Sequence, residues 1–215
     1  MEFDMQKAFW QFGNLYTGQE LVMGMPSYVV FANGQWQGLL MGEYVDDLRE
    51  IIEHHADWRP RDEAEQDASW QQIVPFGVFR VGDKYAELKR GTEGSHSRLY
   101  QKYTLGVGGH VIDKEYEQSK SLEMWIEQKF HEEMHYDGQI TVDFLGIIND
   151  NSDAIGKHHL GIVYLLTGNV EEFKAKKHTE SRMVKLSEIT SEDLEFLDRW
   201  SQMIYRQLRE SEALG

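Results

Sequence analysis

The stretch SLEMWIEQKFHEEMHY, residues 121–136, decides the fold because it combines a helical apolar pattern with a dense group of acidic and imidazole side chains. Its apolar residues recur at intervals of three and four: Leu122, Trp125, Ile126, Phe130 and Met134. This spacing predicts one amphipathic helix whose apolar stripe faces a core. The same stretch contains an H-E-x-x-H motif and a pair of adjacent glutamates, and each of these patterns indicates a different chemistry.

The first pattern, His131-Glu132-Glu133-Met134-His135, predicts a zinc site if the segment is helical throughout. Two histidines four residues apart share one helical face and can bind zinc, while the intervening glutamate acts as general base. The extended form of the motif requires a third histidine, and Thr141 occupies that position. A glutamate from a later helix, Glu192 or Glu195, is the alternative third ligand. Without such a ligand the motif is two solvated histidines beside two solvated acids.

Composition excludes several classes of protein. The 215 residues include 37 acidic and 22 basic side chains, and the formal charge of −15 repels nucleic acid and anionic membranes. Cysteine is absent, so that any metal must be held by oxygen or imidazole. The first residues, MEFDMQKAFW, lack the basic start and the apolar run of a signal peptide, and no stretch approaches transmembrane length. We therefore expect a cytoplasmic protein that binds neither nucleic acid nor membranes.

The segments around this helix predict an α/β fold built on a mixed sheet. Four segments have the composition of strands: QQIVPFGVFRV (71–81), KYAELKR (84–90), QITVDFLGIIND (139–150) and HHLGIVYLLTG (158–168). The first two are joined by Gly82-Asp83, which indicates a β-hairpin. A glycine turn follows in YTLGVGGH (103–110), and TSEDLEFLDRWSQMIYRQLRE (190–210) predicts a closing helix capped at Thr190 or Ser191.

The N-terminal part has a different organisation. SYVVF (27–31) has the composition of a strand, GEYVDDLREIIEHH (42–55) has helical spacing, and RPRDEAEQD (59–67) is a polar connector. We therefore divide the chain into an N-terminal extension or subdomain, residues 1–69, and a main domain, residues 70–215. The extension is expected to pack on the main domain or to form a homodimer contact.

The glutamate pair and its surroundings resemble the Nudix hydrolases, which cleave nucleoside diphosphates linked to another group. Their signature, G-x5-E-x7-R-E-U-x-E-E-x-G-U, lies on a loop and a helix. The chain is similar to it at Gly108-Gly109, at Phe130 and at Glu132-Glu133. Three further stretches resemble the branch of this family called predicted phosphoesterases: RLYQKYTLGVGGHV (98–111), FLGIINDNSDAIGKHHLGIVY (144–164) and DRWSQMIY (198–205).

The chain also departs from the signature. Gln128 and Lys129 occupy the Arg-Glu positions, and Gly109 lies 23 positions before Glu132, five more than in the plain signature. A lysine at position 129 lies on the helical face of the two glutamates, where the family has a carboxylate. Either its ammonium takes the place of a cation, or it points away and an acid of the long loop, Glu115 or Glu117, completes the site.

The resemblance implies a Nudix-like α/β/α sandwich that hydrolyses a phosphoanhydride bond in a nucleotide-like small molecule. It implies that Glu132, Glu133 and the Gly109 carbonyl hold magnesium or manganese, which neutralises the diphosphate and polarises water. Glu115, Glu117 and Glu123 are candidates for the upstream acid of the signature. In the GNVEEF segment, Glu171 or Glu172 is the candidate base, and we assign Glu172. The substrate-binding residues stay unassigned because they lie on variable loops in this family.

One alternative function and one structural expectation accompany this interpretation. Lys129 is the modulating residue, and its charge leads to a second hypothesis. In that hypothesis the protein is a catalytically inactive Nudix-fold module that binds a nucleotide or regulates a partner. The histidines at the start of 158–168, His158 and His159, should point to opposite sides of their strand. One of them is therefore expected to be a hydrogen-bonded histidine near the core rather than a metal ligand.

Overall fold

The computed structural model describes residues 19–89, 102–153, 156–176 and 180–214. The described strands are β1 (Leu21–Pro26), β2 (Gly38–Leu40), β3 (Asp57–Pro60), β4 (Trp70–Val81), β5 (Lys84–Lys89), β6 (Tyr103–Thr104), β7 (Gly106–Gly108), β8 (Met134–His135), β9 (Ile140–Asn149), β10 (His159–Gly168), β11 (Lys174–Ala175) and β12 (Glu180–Lys185). The described α-helices are α1 (Ser27–Val30), α2 (Glu43–His55), α3 (Arg61–Ala64), α4 (Asp113–Ser119), α5 (Leu122–Glu133), α6 (Ser191–Phe196) and α7 (Arg199–Leu214).

A mixed sheet with the order β12-β5-β4-β10-β9-β2 forms the centre of the molecule. Its longest ladder is parallel and joins β4 to β10, from the Gln72–His159 pair to the Val81–Gly168 pair. β9 runs antiparallel beside β10, and β1 and β7 pair with the other edge of β4. Strands of this kind are continuously apolar because both sheet faces are covered. The predicted α/β class is thereby confirmed.

Helices cover both faces of the sheet. On one face, α5 packs so closely on β4 that a Cβ atom added to Gly77 would lie 2.9 Å from Cγ1 of Ile126. On the other face, the Trp200 ring of α7 contacts Phe76 edge-on, with 5.9 Å between ring centroids. The sheet therefore separates two apolar clusters, and α5 is held firmly on one of them.

The β-hairpin prediction is confirmed, since β4 and β5 are antiparallel and are joined at Gly82-Asp83. The prediction of a single C-terminal helix is wrong. Thr190 caps α6 by accepting from the Asp193 amide, but the helix ends before Leu197, which forms a bridge with Tyr103 of β6. Because the backbone at Leu197 pairs with a distant strand, it leaves the helical conformation there, and α7 begins only at Arg199.

Two predictions in the N-terminal part also need correction. SYVVF is not a strand, because Ser27–Val30 form one helical turn whose start is fixed by a hydrogen bond from the Ser27 amide to Ser69. A short apolar run cannot distinguish the two conformations. The polar connector 59–67 contains the end of β3 and the short α3. β1 and β2 both join the central sheet, by pairing with β4 and with β9.

Parts of the stretches used for prediction lie outside the described residues, namely 1–18, 90, 98–101 and 154–155. Within the part of the chain that the structure describes, no helix has both the length and the apolar character needed to cross a membrane.

Candidate functional site

Helix α5 carries the candidate site, and its buried apolar face determines where its acidic last turn points. The Ser121 hydroxyl caps its start by accepting from the Met124 amide at 3.1 Å. Trp125, Ile126 and Phe130 are buried, as predicted from their spacing. The Phe130 ring lies 4.8 Å from that of Phe79 on the sheet, centroid to centroid. This packing fixes the rotation of the helix and hence the direction of its last turn.

The last turn of α5 brings Lys129 and both glutamates together. The Lys129 ammonium lies 3.5 Å from Oε2 of Glu132 and 4.0 Å from Oε1 of Glu133. The two carboxylates differ in environment, because the Glu132 side chain is 57% exposed and that of Glu133 only 11%. Water screens the pair with Glu132, whereas charge near Glu133 acts through a medium of lower dielectric constant. Lys129 thus points at the acids and not away from them.

The glycine loop runs directly beside this turn. β7 pairs with β4 so tightly that a Cβ atom on Gly108 would lie 2.4 Å from the Pro75 carbonyl oxygen, which only glycine permits. The chain then reaches Gly109, where an added Cβ would lie 3.7 Å from both Cε of Lys129 and the Trp125 ring. The structure therefore brings Gly109 next to the lysine that lies between the two glutamates.

A second loop reaches the same end of α5. The Lys176 amide donates to the Glu133 carbonyl at 2.7 Å, and its ammonium donates to the His131 carbonyl at 2.6 Å. These contacts belong to a small sheet in which β11 pairs with β8, which the sequence did not predict. Of the two acids in the loop before β11, Glu171 forms an ion pair with Lys84 at 2.7 Å. Glu172 is exposed on the loop.

The zinc interpretation fails on local geometry. α5 ends at Glu133, and Met134 adopts an extended conformation with φ −124° and ψ 139°. His135 therefore lies on β8, and the two histidines of the H-E-x-x-H motif do not share one helical face. Across the described ranges, no group of three or more histidine, aspartate or glutamate side chains is arranged to hold a metal ion, so that neither Glu192 nor Glu195 completes a zinc site.

The three upstream acids are placed very differently. Glu115 accepts a hydrogen bond from the Trp125 indole at 3.2 Å and so lies beside α5. Glu117 is exposed. Glu123 pairs with Arg49 of α2 at 3.1 Å. Of the three candidates, only Glu115 shares a neighbour, Trp125, with Gly109.

Comparison with known proteins identifies the family. No protein-family profile matches the chain. YmaB of Bacillus subtilis (strain 168) is 32% identical over 153 residues, which cover 67% of this chain and 74% of YmaB. The crystal structure of Tm1382, a candidate Nudix hydrolase, has a TM-score of 0.73 and 25% identity, over 89% of this chain and 99% of Tm1382. The chain belongs to the Nudix superfamily.

A more distant Nudix structure has the same fold. The Nudix domain of Shewanella oneidensis NrtR, solved with ADP ribose, has a TM-score of 0.50 and 17% identity, over 66% of this chain and 88% of NrtR. At that identity the likeness concerns the fold alone. The sequence-based assignment to a Nudix-like fold is confirmed, and α5, which carries the glutamate pair, is called the Nudix helix below.

Nudix hydrolases generally use divalent metals, and the donor atoms at the end of the Nudix helix suit a hard cation. They are the carboxylate oxygens of Glu132 and Glu133. Magnesium is commonly held by one or two carboxylates, with water and substrate phosphates as the other ligands. Two carboxylates are therefore enough to fit such an ion, although the Lys129 ammonium competes for the same negative charge.

A histidine pair adjoins the glycine loop and was only half predicted. Nε2 of His110, the residue after Gly109, lies 2.8 Å from Nε2 of His159, the first residue of β10. The prediction that one of His158 and His159 is a hydrogen-bonded histidine near the core is confirmed, since His159 is buried. The two do not alternate on one strand, because His158 ends a 3₁₀ turn and β10 begins only at His159. The partner of His159 could not be predicted, because strand alternation carries no information about a contact 49 residues away.

The opposite flank of the Nudix helix carries a partly buried polar cluster. Nε of Arg49 lies 3.8 Å from Oε1 of Glu53, and neither atom has a hydrogen-bond partner among the described residues. Burial and the nearby Glu123 raise the pKa of Glu53. The Tyr164 hydroxyl is fully buried and also lacks such a partner, and burial, followed by Glu123 and Glu53, raises its pKa far above the ordinary value.

Proposed function

We propose that this protein is a magnesium- or manganese-dependent hydrolase of a phosphoanhydride bond in a nucleotide-like small molecule. The observation that carries the proposal is the proximity of Glu132, Glu133 and the Gly109 backbone to the Lys129 side chain at the end of the Nudix helix. Two carboxylates of the helix and the backbone of the glycine loop lie close together there. Such an arrangement can bind a hard cation and the phosphates that accompany it.

Each residue has a distinct part in this proposal. Glu133 is the principal carboxylate ligand because its environment is drier, and Glu132 and the Gly109 carbonyl complete the protein's share of the metal site. When bound, the cation neutralises the diphosphate and polarises the attacking water. Glu172, in the loop before β11, accepts the proton of that water. The pairing of β11 with β8 connects this loop to the end of the Nudix helix. Lys129 adds a positive charge to a protein whose net charge of −15 otherwise repels anionic substrates.

The second candidate is a Nudix-fold module that binds a nucleotide or regulates a partner without catalysis. The position of Lys129 favours it, since an ammonium 3.5 Å from Glu132 neutralises part of the charge that a divalent ion needs. The Nudix domain of NrtR, which was solved with ADP ribose, supports a nucleotide-like ligand for either candidate. In both cases we propose a cytoplasmic protein whose extension, residues 1–69, packs on residues 70–215 or forms a homodimer contact.

The deciding experiment measures release of nucleoside monophosphate from a panel of nucleoside diphosphate derivatives with magnesium. Wild-type turnover that is abolished in Glu133→Gln supports the hydrolase. Glu172→Gln should also lower the rate, and Glu171→Gln is its matched control, because Glu171 is paired with Lys84. Tight nucleotide binding without metal, together with no turnover in wild type or in Lys129→Glu, would reject the hydrolase in favour of the binding module.

A further inference from the structure

Gly109 and His110 cross a gap between two backbone ladders. On one side, β7 ends at Gly108, which pairs with Phe76 of β4. On the other side, pairing resumes at Ile112, which forms a bridge with Val22 of β1. The two residues therefore connect fixed segments without belonging to either ladder. A carbonyl in such a span is held less firmly than one inside a sheet, unless a side chain anchors it.

His159 supplies such an anchor from the centre of the sheet. It begins β10 and is the register partner of Gln72 in the long parallel ladder. The Nε2–Nε2 distance of 2.8 Å to His110 is that of a hydrogen bond in which one ring donates and the other accepts. Two imidazoles on one tetrahedral zinc ion would have their nitrogens about 3.3 Å apart, given Zn–N bonds of about 2.05 Å. The 2.8 Å separation therefore matches a hydrogen bond within the chain better than two ligands of one zinc ion.

The histidine contact lies one residue from the proposed ligand. A Cβ atom added to Gly109 would lie 3.7 Å from Cε of Lys129 and the Trp125 ring, so that the position of Gly109 relative to the Nudix helix depends on where the chain leaves it. The next residue is His110, whose ring is tied to the sheet by His159. Fixing the His110 side chain restricts the orientation of the peptide between Gly109 and His110, and the carbonyl of that peptide is the Gly109 carbonyl.

We propose that His159 is a positioning residue for the divalent cation, which it affects through His110 without touching metal or substrate. The proposal rests on the proposed function, because Gly109 is a ligand only if the protein binds a cation at this site. It adds a dependence that the Nudix signature does not contain: the Gly109 carbonyl is oriented by a histidine of β10. Partners that orient metal ligands typically change metal affinity about 10- to 100-fold when they are removed.

The test is a titration of the full chain with manganese, in which the EPR signal of free Mn²⁺ gives the dissociation constant. His159→Leu removes both ring nitrogens and should weaken Mn²⁺ binding about tenfold. His159→Gln places an amide at a similar reach and should recover most of that loss. His158→Leu makes the same substitution at the neighbouring residue and should bind Mn²⁺ like wild type. A purely structural role would instead lower the melting temperature and leave the affinity unchanged.

His110→Leu removes the same contact from the loop side and leaves β10 unchanged. If His159→Leu does not fold, this variant tests the positioning role in its place. It should reproduce the tenfold loss of affinity. Wild-type Mn²⁺ binding that neither His110→Leu nor His159→Leu alters overturns the positioning role and leaves the proposed metal site standing. A wild-type protein that binds no Mn²⁺, even with a nucleoside diphosphate present, overturns both proposals at once.

Discussion

The Lys129 ammonium lies 4.0 Å from Oε1 of Glu133, a carboxylate that is almost completely shielded from solvent. A positive charge in that position stabilises the ionised carboxylate in the absence of metal. The same charge repels a divalent ion that approaches Glu133. The balance between these two effects decides whether the site binds a metal cation in addition to its own ammonium.

Lys129→Glu should strengthen magnesium binding by at least about tenfold, because it replaces a positive charge with a negative one about 4 Å from the proposed ligands. Isothermal titration calorimetry with Mg²⁺ measures the change. Lys129→Met removes the positive charge without adding a negative one, and its affinity should lie between those of wild type and Lys129→Glu. Equal affinities in all three proteins would show that the ammonium does not oppose the cation.

The two glutamates should differ in their contribution to metal binding. Glu133→Gln should weaken Mn²⁺ binding more than Glu132→Gln, because the buried carboxylate interacts with the ion through a lower dielectric constant. The two substitutions make the same chemical change at adjacent positions, so that each is the control for the other. The opposite order in an Mn²⁺ titration would assign the principal ligand to Glu132.

The local part of this architecture could be predicted from the sequence. Apolar periodicity identified the Nudix helix and its buried face, because Trp125 and Phe130 occupy positions that a helix of 3.6 residues per turn directs to one side. The strands β9 and β10 were equally clear, since each is a long apolar run. Gly82-Asp83 marked the hairpin, because a short turn between two strands has a characteristic composition.

The features that the sequence did not predict depend on contacts between distant segments. β8 and β11 contain two residues each, too few for any periodic pattern, yet their pairing ends the Nudix helix at Glu133 and removes His135 from it. The bridge from Leu197 to Tyr103 divides the C-terminal helix in the same way.

The H-E-x-x-H motif should have no part in metal binding. His131→Gln and His135→Gln, singly and together, should leave Mn²⁺ affinity unchanged, because the two histidines lie on different elements. Cobalt(II) absorption spectra give an independent measurement, since imidazole ligands in a tetrahedral site produce intense visible bands. Bands that appear in wild type and vanish in the double variant would contradict the assignment of oxygen ligands.

Tyr164→Phe should stabilise the protein by about 1 kcal/mol, because a buried hydroxyl without a partner costs about 1–3 kcal/mol. Chemical denaturation measures the free energy of unfolding. Tyr136→Phe is the matched control and should be destabilising, since the Tyr136 hydroxyl accepts from the amides of Asn169 and Val170 at 2.9 Å each. Destabilisation by Tyr164→Phe would indicate that a bound water or ligand satisfies this hydroxyl.

The carboxylate of Asp150, at the end of β9, should make stability depend on acid pH. Its side chain is 4% exposed and receives hydrogen bonds from Arg199 of α7 at 2.7 and 3.2 Å. Burial alone raises the pKa of Asp150, but hydrogen bonds from Arg199, Ser152 and Gln37 outweigh it and hold the pKa well below the ordinary value. Each unit of that depression is worth about 1.4 kcal/mol of stability.

The sign of the effect follows from the lowered pKa. Because an unfolded chain takes up the Asp150 proton near pH 3.9 and the folded protein only at lower pH, the stabilisation is complete above about pH 5 and is lost as the pH falls through 4 towards 2. Asp150→Asn should therefore lower the unfolding free energy at pH 7 by about 1–3 kcal/mol. The difference from wild type should shrink steadily between pH 5 and pH 2. Arg199→Met removes the principal donor and should show the same convergence in urea denaturation, whereas a constant difference across this range would show that Asp150 titrates alike in both states.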